Sequence, residues 1–296
     1  MTLLLSVLEQ GMIYAIMALG VYITYKILDF PDLTVDGSFP FGAAITCALI
    51  AKGVNPLLTL PISFLLGAGI GVCTGLIHVK LKVRDLLSGI IMMTALYTVN
   101  LQIAGRANLP IYNYSTIFDN AFVNGIIPEA ISEYRTVIII LLITVAMKLL
   151  LDWYMNTKSG FLLRAVGDND TIVTSLGVDK GLVKIIGLAV ANGLVSLGGC
   201  IYAQQQRFFD VSMGTGTVVI GLASVIIGTS LFKKITFWNV TTSVIIGSLL
   251  YKGCVALALR MGIPSNYLKL VTAMLFLLIL VFSMDRKSVK KVSKAS

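Results

Sequence analysis

Charge is what this sequence has least of. Of its 296 residues only 12% are Asp, Glu, Lys or Arg, while 57% are apolar. Ordinary soluble domains carry roughly a quarter charged residues. Mean hydropathy is +0.91. Such a chain is neither intrinsically disordered nor an ordinary water-soluble globule. Histidine is nearly missing: His78 stands alone and builds no metal site by itself. The four cysteines, Cys47, Cys73, Cys200 and Cys254, all fall inside apolar runs. Their spacing suits neither a disulfide framework nor a zinc site, so they read as small apolar filler. No G-x-x-x-x-G-K-S/T occurs, so this chain binds no nucleotide through a P-loop. G-x-S-x-G, H-E-x-x-H and C-x-x-C are absent too, and no acid, base or metal groups converge, which argues against an enzyme.

What the chain does have is long apolar runs separated by short loops, the pattern of an all-α polytopic membrane protein. The runs are continuous rather than alternating, which argues against a β-barrel. Nine spans are expected, within a range of 8–10: about 3–25, 38–52, 56–79, 86–104, 135–154, 183–204, 217–232, 236–258 and 265–284. Most approach the roughly 20 residues needed to cross the hydrocarbon. The first 25 residues lack the basic start of a cleaved signal peptide, and Glu9 and Gln10 interrupt their apolar run. Span 38–52 is short and, with Gly37, Pro40 and Gly42, is expected to be broken. Irregular backbone at membrane depth survives only where protein or a water-filled cavity covers it. This makes the segment a candidate for lining a pathway; an ordinary kinked helix is the alternative. Gly67, Gly71 and Gly75 form two small-xxx-small steps on one face, and Ala189 with Gly193 repeats the step; both are helix-packing signals.

The net charge is +9, from 23 Lys and Arg against 14 Asp and Glu. The basic residues stand at the ends of spans, which fits membrane orientation better than nucleic acid. Arg286, Lys287, Lys290, Lys291 and Lys294 put the C-terminal tail (285–296) in the cytoplasm, leaving 1–284 as one transmembrane domain. Counting back places inside the loop 155–182 with Lys158, Arg164 and Lys180, then Lys80, Lys82 and Arg84, and Lys233 with Lys234. Arg106, Arg135, Arg207, Arg260 and Lys269 fall outside. An odd number of spans then sets the N-terminus outside, and an extra half-helix within 115–131 would change that count.

Ionisable groups inside the spans are few. Lys148 and Asp152 are spaced to pair at i,i+4, beside Trp153 and Tyr154 at an inner boundary. Asn100, Gln102 and Asn192 are neutral polar groups that serve either a substrate or helix joining. With no evident proton relay or ion site, the energy source is expected on another chain.

The longest inner loop, Gly160 to Lys184, has internal order. Asp168, Asn169 and Asp170 are N-cap residues, and Asp170 is placed to cap turns 171–176. Gly177 fits a left-handed stop. Ile172 and Leu176 share a face, with Val173 beside them. A two-turn amphipathic helix between the breaks at Gly167 and Gly177 is marginal alone. It needs a surface, and spacing leaves the bilayer and a soluble partner equally open.

This stretch resembles the coupling loop of ABC importer permeases of the branched-chain amino-acid and ribose type. In these an RA-x-G-x-N core precedes a short helix and a glycine, and Arg164, Ala165, Gly167, Asn169 and Gly177 hold those places. The resemblance runs along nearly the whole chain. GMIYAIMALGVYITYKILDFPDLTVDGSFPFGAA resembles the family's first two spans, and its Asp32–Ser38 is similar to the sugar-permease DLSVGS with Asp36 as an extra residue. GLIHVKLKVRDLLSGIIMMTAL resembles the entry to a later span, with His78 for a usual Asn. MGTGTVVIGLASVIIGTSLF resembles a glycine-rich segment, with Thr229 for the second of two glycines. The chain looks closest to a branch of tryptophan/tyrosine permeases.

The resemblance implies the type II importer fold and a non-enzymatic permease subunit in a prokaryotic plasma membrane. It implies a separate ATPase that binds ATP and Mg, an extracellular binding lipoprotein and a second permease copy forming a homodimer; membrane lipid surrounds it, no nucleic acid binds, and no cofactor or metal belongs to this chain. Arg164, Ala165, Gly167, Asp168, Asn169, Asp170, Ile172, Val173, Leu176 and Gly177 are the expected ATPase-coupling residues. Asp36, Ser38, Phe39, Pro40, Phe41, Asn100 and Asn192 are candidates for the pathway lining. Arg106, Arg207 and Asp210 are candidates for docking the binding protein, with Asp119, Glu129 and Glu133 nearby. Asp29, Asp32 and Asp36 make an acidic inner loop that caps helices, pairs with inner bases or steers cargo. The cargo is a small polar metabolite; the branch suggests an aromatic amino acid, while the wider family admits branched-chain amino acids, sugars and nucleosides. The rival classes are an ion- or proton-coupled secondary transporter and a non-transport scaffold.

Overall fold

The computed structural model describes residues 2–120, 134–232, 239–261 and 267–283. Among the described residues each of the nine expected spans has a helix: α1 (Thr2–Val21), α2 (Val35–Ala51), α3 (Pro56–Val79), α4 (Asp85–Ala104), α5 (Arg135–Met155), α8 (Lys180–Gln206), α9 (Thr217–Leu231), α10 (Val240–Arg260) and α11 (Leu268–Ser283). Two more helices, α6 (Lys158–Asp168) and α7 (Asp170–Ser175), fill the loop before α8. Seven helical stretches among the described residues are long and apolar enough to cross a membrane, and α2 is a shorter apolar helix. The expected basic tail, Lys233 and Lys234, Glu129 and Glu133, and most of the region held open for a half-helix lie outside the described residues.

The longest helix, α8, is the hub. It packs against α1, α2 and α3, and its buried side is built from small residues such as Ala191, Ser196 and Gly199. The two small-residue signals meet here. A Cβ added at Gly71 would stand 2.1 Å from the Leu188 carbonyl oxygen, and one at Gly67 would stand 2.3 Å from the Ser196 Cβ. In lipid, where no hydrophobic effect drives them together, helices associate through such close backbone packing.

Three features depart from the sequence reading. First, α2 is unbroken and starts at Val35 rather than 38. Pro40 lies in its second turn, and the Asp36 carbonyl that Pro40 cannot use faces Gly214, where a Cβ would stand 2.0 Å away. Tertiary packing thus covers the group that a proline leaves bare. Second, α1 widens over Tyr22–Ile27 into a π-helix, and Asp29 turns the chain with φ 50°. Third, a two-stranded antiparallel ribbon, β1 (Asn108–Pro110) and β2 (Phe208–Asp210), pairs Leu109 with Phe209. α9 is helical through Thr229, whose Oγ1 donates to the Val225 carbonyl at 2.8 Å.

Candidate functional site

At the end of the bundle where α1 finishes and α8 begins, α6 and α7 form an elbow. The Thr157 side chain caps α6 by accepting from Gly160 N at 3.3 Å. Leu163 and Val166 are buried in the main apolar cluster. Gly167 is not a break. It lies inside α6 because the helix crosses the end of α1 so closely that a Cβ there would stand 1.7 Å from the Ile27 carbonyl oxygen. The cap of α7 is Asn169 rather than Asp170: its Oδ1 accepts from Thr171 N at 3.1 Å. Asn169 is extended, which frees its side chain to reach forward. The side chains of Asp170 and Ile172 lie outside the described residues.

The elbow splits its apolar residues between two surfaces. Val173 is fully buried, whereas Leu176 is 67% exposed and Phe161 58%. Gly177 has φ +74°, the expected left-handed stop, and Asp179 caps α8 by accepting from Gly181 N at 2.8 Å. Arg164 is exposed beside the Phe161 ring, 5.9 Å from its centroid. Ala165 packs partly buried against the core, and Asp168 is exposed. Arg164 also lines a polar cavity of about 400 Å³ with Tyr22, Asp152, Asn156, Asn239 and Thr241. Lys148 pairs with Asp152 at 3.1 Å, as the spacing predicts. Asp152 also accepts from Asn239 Nδ2 at 2.9 Å and Thr241 Oγ1 at 2.6 Å, tying α5 to the start of α10. The elbow is thus a rigidly backed, outwardly apolar and basic surface at one end of the spans.

The polar residues of the α2 region meet inside the bundle. Asp32 is 4% exposed; its carboxylate accepts from Thr34 N and from Asn192 Nδ2, each at 2.9 Å. Asn192 Oδ1 in turn accepts from Ser38 Oγ at 2.7 Å. Asp36 takes three donors from the start of α9: Gly216 N at 3.0 Å, Thr217 Oγ1 at 2.9 Å and Val218 N at 2.8 Å. Asn100 Nδ2 donates to the Gly37 carbonyl at 3.2 Å. Phe39 and Phe41 are in the core, and Ser38 and Pro40 are buried with them. The polar side chains among these join α2, α4, α8 and α9 within one chain, which satisfies buried groups that would otherwise be costly. Asn100 Oδ1 is the exception, buried with no hydrogen-bond partner among the described residues.

At the opposite end Arg207 and Asp210 brace the ribbon. Arg207 Nη2 contacts Asp119 Oδ2 at 2.7 Å, and its Nη1 donates to the Tyr112 carbonyl at 3.3 Å. Burial alone would raise the Asp119 carboxyl; hydrogen bonds from Thr116 and the Arg207 guanidinium outweigh it and hold the group below its ordinary range. Burial alone would raise the Asp210 carboxyl as well, but hydrogen bonds from the Ser212 hydroxyl at 2.5 Å and from Ser212 N at 2.8 Å outweigh it and lower its pKa. Arg106 is exposed. Sequence reasoning missed the buried Gln204, which donates to Thr59 Oγ1 at 2.9 Å and accepts from Ile117 N at 3.0 Å. It also missed Lys252, a lone cation inside the α10 run.

Comparison with known proteins covers almost the entire chain. The family model described as branched-chain amino acid transport system, permease component, matches residues 3–280. The tyrosine transport system permease protein of Clostridioides difficile is 41% identical over 290 residues, 98% of this chain and 94% of that protein. An uncharacterised protein of Rickettsia prowazekii is 31% identical over 277 residues, 92% of this chain and 94% of its own. The ribose import permease protein of Escherichia coli K12 is 27% identical over 229 residues, 76% of this chain and 68% of its own. No solved structure is a significant match.

Proposed function

Because the chain belongs to the family of branched-chain amino acid transport permease components, and is therefore the multi-pass, non-catalytic permease of an ABC importer, we propose that it carries an aromatic amino acid. Its likeness to a tyrosine transport permease over nearly its full length supports that cargo. The elbow α6–α7 is the surface gripped by a separate ATPase, which binds ATP and Mg. An extracellular lipoprotein delivers the cargo at the ribbon end, and a second copy of the chain completes the conduit. The elbow lies at the cytoplasmic side, with the C-terminus, because Lys26, Lys80, Lys82, Arg84, Lys158, Arg164 and Lys180 cluster at that end.

The single observation carrying this reading is the construction of the elbow. Its outer side offers Leu176, Phe161 and Arg164 to a partner, and its inner side is fixed to α1 and α8 by Leu163, Val166 and Val173. ATP-driven closure of the partner then shifts the population between inward- and outward-open states, because the partner binds the two states unequally. Proteoliposomes holding the permease, its ATPase and the binding protein take up L-tyrosine only when ATP is supplied. Uptake by the permease without the ATPase would overturn the mechanism, and transport of ribose but not tyrosine would overturn the cargo.

A further inference from the structure

On the ribbon-side halves of α1 and α10 the two helices leave a groove of about 400 Å³, lined among others by Ser6, Gln10, Lys252, Val255 and Leu259. Lys252 stands near the middle of α10 (Val240–Arg260). Its Nζ lies 3.7 Å from the centroid of the Tyr14 ring. Among the described residues no carboxylate pairs with it. Tyr14 cannot swing aside, since its ring stacks on Phe39 at 5.6 Å and meets Tyr202 edge-on at 5.7 Å. The ammonium is therefore held on a fixed aromatic platform beside a groove that Lys252 lines.

A lone cation at this depth does not face hydrocarbon. Ionisable groups inside membrane spans face the bundle interior, a partner or a water-filled cavity, and they mark ligand pathways. The ring face attracts the cation, and the Lys252 side chain also lines the groove. The Gln10 amide and the Ser6 hydroxyl on the α1 wall add neutral hydrogen-bonding groups, and Val255 and Leu259 add apolar surface. This combination suits a carboxylate attached to an apolar body.

We propose that the α1–α10 groove is a water-filled part of the conduit and that Lys252 receives the carboxylate of the amino-acid cargo there. The cargo class rests on the reading above; the anion preference of the groove does not. Gln10→Cys, in a chain whose native Cys47, Cys73, Cys200 and Cys254 are replaced by alanine, is assembled with the ATPase in lipid nanodiscs. It is then treated with the membrane-impermeant sulfonatoethyl and trimethylammonioethyl methanethiosulfonates. Both reagents modify the introduced thiol, the anionic one about tenfold faster relative to its rate with a free thiol. Lys252→Gln removes that preference and Lys252→Arg keeps it. Protection of the introduced thiol from both reagents, as lipid or a sealed copy interface would give, overturns the proposal without requiring any Lys252 variant to fold. A preference indifferent to Lys252→Gln overturns it as well. In the uptake assay Lys252→Gln raises the KM for L-tyrosine about tenfold and Lys252→Arg restores it. If the unaltered complex moves no tyrosine, the cargo reading fails while the thiol modification rates still decide the groove.

Discussion

The carboxylate of Asp36 accepts from Val218 N at 2.8 Å, so a residue in the first turn of α2 caps the first turn of α9, 182 positions further along the chain. A negative charge at a helix N-terminus satisfies otherwise unpaired N–H groups and complements the helix dipole.

Asp36→Ala removes that cap and leaves Gly216 N and Val218 N without their partner. A lost cap costs about 1–2 kcal/mol, so the thermal midpoint of the purified protein falls. Asp36→Asn keeps acceptor oxygen and falls less. A midpoint for Asp36→Asn equal to that of the unaltered protein would remove the charge from the explanation, and one equal to Asp36→Ala would remove the acceptor oxygen.

The Asp32–Asn192–Ser38 network gives a sharper test. Asn192→Ala deprives Asp32 of a donor, and a buried group left unsatisfied costs about 1–3 kcal/mol. Asn192→Asp sets two carboxylates side by side in a water-poor core and abolishes folded yield. Exchanging the pair, Asp32→Asn with Asn192→Asp, restores yield in part, as gel filtration in detergent reads directly. A double variant as poor as the single one would show that the pair is not the source of the defect.

The elbow predicts unlike results from neighbouring apolar residues. Leu176→Asp leaves stability within about 0.5 kcal/mol, as expected for an exposed position, yet loses co-purification with the ATPase. Val173→Asp buries a charge and lowers folded yield itself. Retained ATPase binding by Leu176→Asp would take that side chain out of the partner surface.

At the ribbon end the pH dependence has a fixed sign. Because the folded Asp119 pKa is depressed, its stabilising effect is present above the unfolded carboxylate value of about 3.9 and is lost as pH falls through the lower folded value. Asp119→Asn therefore lowers the thermal midpoint at pH 7, and the gap to the unaltered protein closes towards pH 3. The bridge is about one-third exposed on both sides, so the gap is small. A gap constant with pH would assign the effect to hydrogen bonding alone.

Much of this architecture is legible in the sequence because hydrophobic length is a one-dimensional signal. The span 56–79 is found with the same ends, and the glycine stripe of α3 meets α8 as small residues at helical spacing suggest. The failures share one cause: local chemistry was overruled by a partner remote in sequence. Pro40 and Gly167 look like helix breakers, but each sits where the backbone of another element presses close. Asp36 looks like part of an acidic loop, yet its donors come from α9. Lys252 carried a visible signal, a single cation within an apolar run, but the aromatic platform beneath it needed the fold.

The contact between Gly167 and the Ile27 carbonyl has a mechanical consequence. No side chain cushions α6 from the end of α1, so the elbow and the first helix are joined like a crank to its shaft. Torque applied by a gripping neighbour is delivered with little slack to the widened π turn, and from there along the helix that carries Tyr14.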